Sequence, residues 1–172
     1  MSLSVRSEYN MRDNIVNILR QDSRTTPSEI ATMLGSTEDV VRAQITELEK
    51  SGVILQYSVV VNDELLDDDS SVVAFIEVKC APERDQGFDH IAQRLQKFPE
   101  VQSVYLMSGV FDLLVVVKGR NLREVAAFVS SKLSPIANVV STGTHFLLKK
   151  YKENGIVMGL DENRSHRLNV AF

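Results

Sequence analysis

Residues 26–52 read TPSEIATMLGSTEDVVRAQITELEKSG, and their punctuation sets two helices around a tight turn. Thr26 can cap the first. Pro27 follows at the first helical position, where a missing N–H costs nothing, and Glu29 stands where a carboxylate reaches back to the cap's own N–H. Ile30, Met33 and Leu34 supply a buried side, and Gly35 offers the left-handed residue that ends the helix. Ser36 or Thr37 can then cap a longer helix in which Val41, Ile45 and Leu48 share a face before Gly52. Short helix, glycine turn, longer helix is the helix-turn-helix pattern, whose second helix enters the major groove of DNA. Upstream, over about residues 9–21, Met11, Ile15, Ile18 and Leu19 make one apolar stripe at helical spacing.

After Gly52 the period changes. Residues 54–61 are rich in β-branched side chains and read as a strand leaving the helical unit. A strand over 72–78 follows, then a helix over 88–98 with Phe88, Ile91, Ala92 and Leu95 on one side, and a strand over 101–107. A turn at Ser108 and Gly109 leads into a strand over 112–118. Its unbroken run from Leu113 to Val117 marks a central strand covered on both faces. Leu122, Val125, Ala126, Val129 and Leu133 make the next helix, Pro135 ends it, and residues 139–151 form a long last strand. The order β-α-β-β-α-β is a ferredoxin-like α+β domain with helices on one face of the sheet. Its other face needs cover, and a second copy of the chain is the economical source. The expected organisation is a helix-turn-helix over 1–55, a connecting strand and linker over 56–70, the ferredoxin-like domain over 71–152 and a C-terminal extension over 153–172. The domain boundary falls in the polar, acidic stretch 67–71. In the extension, Asn154-Gly155 is a turn signal, residues 156–160 can return as a strand, and residues 167–172 alternate like an edge strand beyond the polar stretch 161–165.

The 172 residues are 44% hydrophobic and 24% charged, the composition of a soluble globular protein. There is no run of roughly 18 apolar residues to span a membrane, and the polar N-terminus lacks a signal-peptide core, so the expected place is the cytoplasm. A lone cysteine, Cys80, excludes an intrachain disulfide and a Cys-based zinc cluster, and reads as a small buried or edge residue. His90, His145 and His166 are far apart, none stands at metal-ligand spacing, and there is no Gly-rich phosphate loop, so no catalytic, metal or cofactor site is expected. His90 reads as a helix-surface residue. His145, on the last strand, can bond a ligand or switch with pH.

Charge is uneven. Residues 1–64 hold 6 Lys+Arg against 10 Asp+Glu, a net of −4, whereas residues 65–172 hold 13 against 13. Because phosphate contacts by basic side chains dominate DNA affinity, the helical half is short of its usual tools. At 100° per residue, Asp39, Arg42, Ala43, Thr46, Glu47 and Lys50 point away from the core stripe. Arg42 and Lys50 are the candidate groove or phosphate contacts and Gln44 and Thr46 the candidate base readers. Thr37 at the helix start and Arg24, in the loop before the shorter helix, complete the DNA-facing set. With so few bases, affinity has to come from several heads on one DNA.

From about Arg12 to Tyr151 the chain resembles the Lrp/AsnC, or feast/famine, family of transcription regulators. Residues 48–54, LEKSGVI, are similar to the family's L-E-x-x-G-x-I exit from the recognition helix. Residues 108–112, SGVFD, resemble its S-G-D-[FY]-D turn. The resemblance implies a homodimer built on the sensing sheets, tetramers or octamers of such dimers, and a small effector such as an amino acid bound between dimers. It assigns Ser108, Gly109, Val110, Phe111 and Asp112 to the effector site and gives Leu122, His145, Phe146 and Leu147 a part in tuning the response. Val110 replaces the turn's first acid, and Gln44, Thr46 and Glu47 stand where the family is commonly basic. Two other functions share this architecture: a sirohaem-decarboxylase-like enzyme, and a sensor that has lost DNA binding.

Overall fold

In the computed structural model, which describes residues 3–66, 71–81 and 87–159, the capping box at Thr26 is formed. The Thr26 Oγ1 accepts the Glu29 N–H at 3.3 Å, and the Thr26 N–H donates to Glu29 Oε2 at 2.7 Å. These bonds hold the Glu29 carboxyl below its ordinary pKa. The box starts α2 (Pro27–Leu34), and Gly35, at φ 62°, closes it. Before it lies α1 (Leu3–Gln21), which begins earlier than its apolar stripe required, and after it α3 (Glu38–Lys50). Ile15, Ile30, Ala31, Val41 and Leu48 form the buried centre, with Met11, Ile18, Leu19, Leu34 and Ile45 packed around them. Met33, expected inside, is 60% exposed. Ala31 takes the position beside Ile30, and at about 100° per residue that turns Met33 off the buried face.

The expected strand over 54–61 is absent. Ladder bonds define a strand, and no described residue of the chain pairs with this segment. Its period-two apolar side chains Leu55, Tyr57, Val59 and Val61 are exposed. The chain divides into two units, Met1–Val61 and Asn62–Phe172. Residues 67–70 of the expected linker lie outside the described residues.

The second unit carries β1 (Val72–Cys80), α4 (Asp89–Leu95), β2 (Val101–Leu106), β3 (Leu113–Gly119), α5 (Leu122–Phe128) and β4 (Val139–Phe146), with a π-helical turn over Val129–Leu133 extending α5. The antiparallel sheet runs β2-β3-β1-β4, which is the ferredoxin-like order. Ala74, Ile76 and Val78 of β1 and Leu113, Val115 and Val117 of β3 bury one face against Ile91 and Leu95 of α4, Val125 and Phe128 of α5, and Leu133 and Ile136 beyond it. Each of these side chains larger than alanine contributes about 1.5–3 kcal/mol by leaving water. The alternate residues Phe75, Leu114 and Val116 lie on the other face and stay half-buried, so the described residues cover the central strand on one side only.

β4 stops at Phe146 because its partner β1 begins at Val72. Past the Leu147 N–H to Val73 carbonyl bond of 2.8 Å there is no ladder left for the expected strand to 151. The chain resumes as a hairpin, β5 (Lys152–Glu153) and β6 (Ile156–Val157), around Asn154 and Gly155 at φ 48° and 85°. Of the expected strand over 156–160, only Ile156–Val157 is strand among the described residues, and residue 160 lies outside them. Residues 161–165 and the expected edge strand 167–172 lie outside the described residues.

Candidate functional sites

The face of α3 away from Val41 and Leu48 is open. Asp39, Arg42, Ala43, Thr46, Glu47 and Lys50 are all exposed, and Gln44 is half-buried. Thr37 is the N-cap, yet its side chain makes no capping bond, which leaves the hydroxyl to other partners. Thr46 donates its hydroxyl to the Arg42 carbonyl at 2.9 Å and keeps its lone pairs outward. Arg42 is not free. Its guanidinium is paired with Glu38 one turn earlier, both side chains partly exposed. Four acids, Glu38, Asp39, Glu47 and Glu49, face two bases, Arg42 and Lys50, so the helix carries a net −2. Arg24, in the loop before α2, is exposed, its backbone N–H on Asp22 Oδ1 at 2.9 Å. Sequence reasoning missed Tyr57, whose hydroxyl donates to Glu49 Oε1 at 2.8 Å, an acid on the same helix. No sequence spacing signals that pair, because it depends on how the chain turns after Gly52.

In the second unit the turn over 108–112 joins β2 to β3. Ser108, Gly109 and Val110 are exposed, Val110 to 86%, and Phe111 and Asp112 are half-buried. Asp112 is already employed: its Oδ2 accepts the Cys80 N–H at 2.7 Å and its own N–H donates to the Val78 carbonyl at 3.0 Å, closing the end of β1. One carboxylate oxygen is left to receive a ligand. Burial, with the Asp112 charge adding to it, pushes the Cys80 thiol up to about 11, which suits a structural residue.

The other candidate effector residues are elsewhere. His145 lies opposite Phe75 and Leu147 bonds to Val73, toward the start of β1, while Asp112 closes its far end. At about 3.3 Å per residue the two sets stand roughly 13–20 Å apart along the strand. Leu122 opens α5 just past Gly119, the partner of Val72, and so belongs to the His145 end, 55% exposed rather than packed as the apolar pattern implied. His145 Nε2 is 3.4 Å from Glu77 Oε1 on the open face of the sheet. Phe146 is partly exposed on the edge strand. His90, expected at the surface, is half-buried on α4. One chain therefore does not bring the two candidate sets together.

Comparison with known proteins agrees with the division into two units. Residues 14–54 match the model of the winged helix-turn-helix DNA-binding domain, and residues 73–157 match that of the Lrp/AsnC ligand-binding domain. An uncharacterised HTH-type transcriptional regulator of Bacillus subtilis, YugG, is 47% identical over 152 residues, covering 87% of this chain and 92% of its own. The solved structure of Escherichia coli AsnC aligns with a TM-score of 0.64 at 20% identity, over 84% of this chain and 94% of its own. A transcriptional regulator of Neisseria meningitidis solved with L-Met aligns with a TM-score of 0.67 at 22% identity, over 86% and 94%. Two matching domains in this order, with a relative that shares nearly half of its residues along most of both chains, establish the assignment: the chain belongs to the Lrp/AsnC family of DNA-binding transcription regulators.

Proposed function

We propose that the chain reads its operator with the open face of α3 and answers to a small amino-acid-like effector held between dimers. The DNA contacts are Arg42 and Lys50 to phosphates or guanine edges, Gln44 and Thr46 to bases, and Thr37 and Arg24 to the backbone. The observation that carries this reading is the uncovered α3 surface in a domain matched as a DNA-binding winged helix. The half-buried apolar face over Phe75, Leu114 and Val116 supports a dimer through the sheets, since an uncovered patch of this kind favours a partner. For the effector, the 108–112 turn offers exposed backbone and one oxygen of Asp112, and the similar Neisseria fold solved with L-Met supports an amino acid as the ligand class. Val110 presents a methyl surface where an acid would otherwise stand, which favours an apolar effector side chain.

A salt titration of binding to the chain's own upstream DNA tests the first part. The slope of log affinity on log salt should fall by about 0.9 for each phosphate contact removed, so Lys50→Ala should flatten it while Asp39→Ala should not. The second reading, a sensor without DNA binding, draws on the Arg42–Glu38 pair and the net negative charge of α3. Absence of any retardation at low salt would favour it.

A further inference from the structure

A cleft of about 140 Å³ lies in the second unit, away from the 108–112 turn. Four separate pieces of chain line it: Asn62 and Asp63 where the unit begins, Ser71 and Val73 at the start of β1, residues 147–150 after β4, and Met158 beyond the hairpin. Its apolar side is Val73, Leu147 and Met158, the last only 6% exposed. Its polar side is Asp63, Lys149, Lys150 and Ser71; with Glu153 on Lys150 the charges balance, and the Lys149 ammonium also lies 5.5 Å over the Tyr151 ring.

The walls are tied together. Asn62 Nδ2 donates to the Met158 carbonyl at 2.9 Å, and Lys150 Nζ reaches both Glu153 Oε2 at 2.8 Å and Asp63 Oδ2 at 3.3 Å. Glu153 and Asp63 raise the Lys150 pKa, so the ammonium stays charged at neutral pH. The Glu153 contact is the shorter, and Asp63 is the partner that a ligand carboxylate can replace at little cost, since a partly exposed ion pair contributes little. The cleft is roomy enough for several waters or one small molecule.

We propose that this cleft binds a short aliphatic carboxylate, with the carboxylate on Lys150 and Lys149 and the tail on Val73, Leu147 and Met158. It is a second site, built from residues that take no part in the turn, and it does not rest on the turn being an effector site. Occupancy exchanges the Asp63 arm of Lys150 for the ligand and so acts on the segment through which the chain enters the unit. An amino acid and its keto acid share this chemistry. They differ in whether an ammonium group meets the released Asp63.

Methyl-labelled methionine spectra of the full chain separate the possibilities, because Met158 lines the cleft while the Met107 N–H bonds to the Asp112 carbonyl at the base of the turn. Met33, in the helical unit, serves as the control. Titration with leucine and with its keto acid should move the Met158 resonance saturably at millimolar ligand. Lys150→Met should weaken that response about tenfold, the worth of one charge-assisted contact. Should Lys150→Met unfold the hairpin, Lys149→Met gives a milder test in the same direction. Tighter binding of leucine than of the keto acid assigns a role to Asp63, and equal binding assigns recognition to the carboxylate alone; both support the site. A Met158 resonance unmoved by either ligand overturns the proposal, whatever Met107 does. A response of Met107 alone would support the turn as effector site and refute the cleft, and a response of Met158 alone would do the reverse.

Discussion

Glu38→Gln should make the protein bind DNA more tightly, because it releases Arg42 from its pair one turn away. An exposed ion pair of this kind holds its partners by about 0–1 kcal/mol. Taking about 0.5 kcal/mol as the restraint on each head, two heads on one operator gain about 1 kcal/mol, roughly fivefold in affinity. If each freed guanidinium then meets a phosphate, the salt slope steepens by about 0.9 per head, about 1.8 for a dimer. The substitution has a cost that must be measured alongside. Glu38 sits in the first turn of α3, where a negative charge opposes the positive helix end, so the variant should lose about 0.3–1 kcal/mol of stability. The assay is fluorescence anisotropy of operator DNA across a salt series for the wild type, Glu38→Gln, Arg42→Ala and the double variant. In the double variant the gain should vanish, since no arginine remains to be freed. A Glu38→Gln protein with unchanged affinity and slope would refute the reasoning: Arg42 would then be a surface residue, and the DNA contacts would lie elsewhere.

Thr26→Ala should cost about 1 kcal/mol in thermal unfolding by removing the cap of α2. Glu29 has a folded pKa below its unfolded one, so what it adds to stability is complete above the unfolded value and is lost as pH falls through the folded one. Wild type and Glu29→Gln should therefore converge in acid, and a gap that stays constant from neutral to low pH would contradict the capping geometry. Asp112→Ala strands the Cys80 N–H at the end of β1 and should destabilise by about 1–3 kcal/mol, whereas Asp112→Asn keeps an accepting oxygen and should lose less. Equal losses in the two denaturation curves would mean that charge matters here and hydrogen bonding does not. Cys80, buried and with its thiol at about 11, should react slowly with a thiol reagent at neutral pH and rapidly once urea unfolds the chain.

The parts of the fold legible in the sequence were those written in local chemistry. Thr26, Pro27, Glu29 and Gly35 state where α2 begins and ends, and the alternation in β1 and the run in β3 state which strands are central. Where the sequence misled, the missing information was the identity of a neighbour. Residues 54–61 have strand composition and no strand to pair with, and residues 147–151 continue an apolar pattern past the end of β1. Met33 and Leu122 satisfy helical spacing, yet Ala31 faces inward in place of Met33, and Leu122, the first residue of α5, stays exposed while Val125 is buried as expected. The sites fared similarly. The exposed face of α3 follows from 100° per residue, but the Arg42–Glu38 pair and the tie between Asp112 and Cys80 narrow what those residues have left to offer. The cleft around Lys150 was invisible, because it joins residues 62–63 to residues 147–150 and 158 and no local pattern links them.

The separation of the two candidate effector sets bears on how sensing and assembly would be connected. The exposed turn at one end of β1 and the Leu122, His145, Phe146 and Leu147 group toward the other stand too far apart for one amino acid to touch both within a chain. If both sets contact the effector, the second set must come from another copy, and the site exists only in the assembled form. A ligand that binds the assembly and not the separate chains stabilises the assembly by the same factor by which assembly improves ligand binding. Sensing then needs no hinge inside the chain. The weak, acidic heads on α3 gain affinity when several are presented to one DNA, so a ligand that shifts the number of joined copies also shifts DNA affinity. An effector bound wholly within one chain, as in the cleft at Lys150, carries no such obligatory link. Sedimentation at graded effector concentrations therefore separates the two modes, with an assembly midpoint that moves in the first and stays fixed in the second.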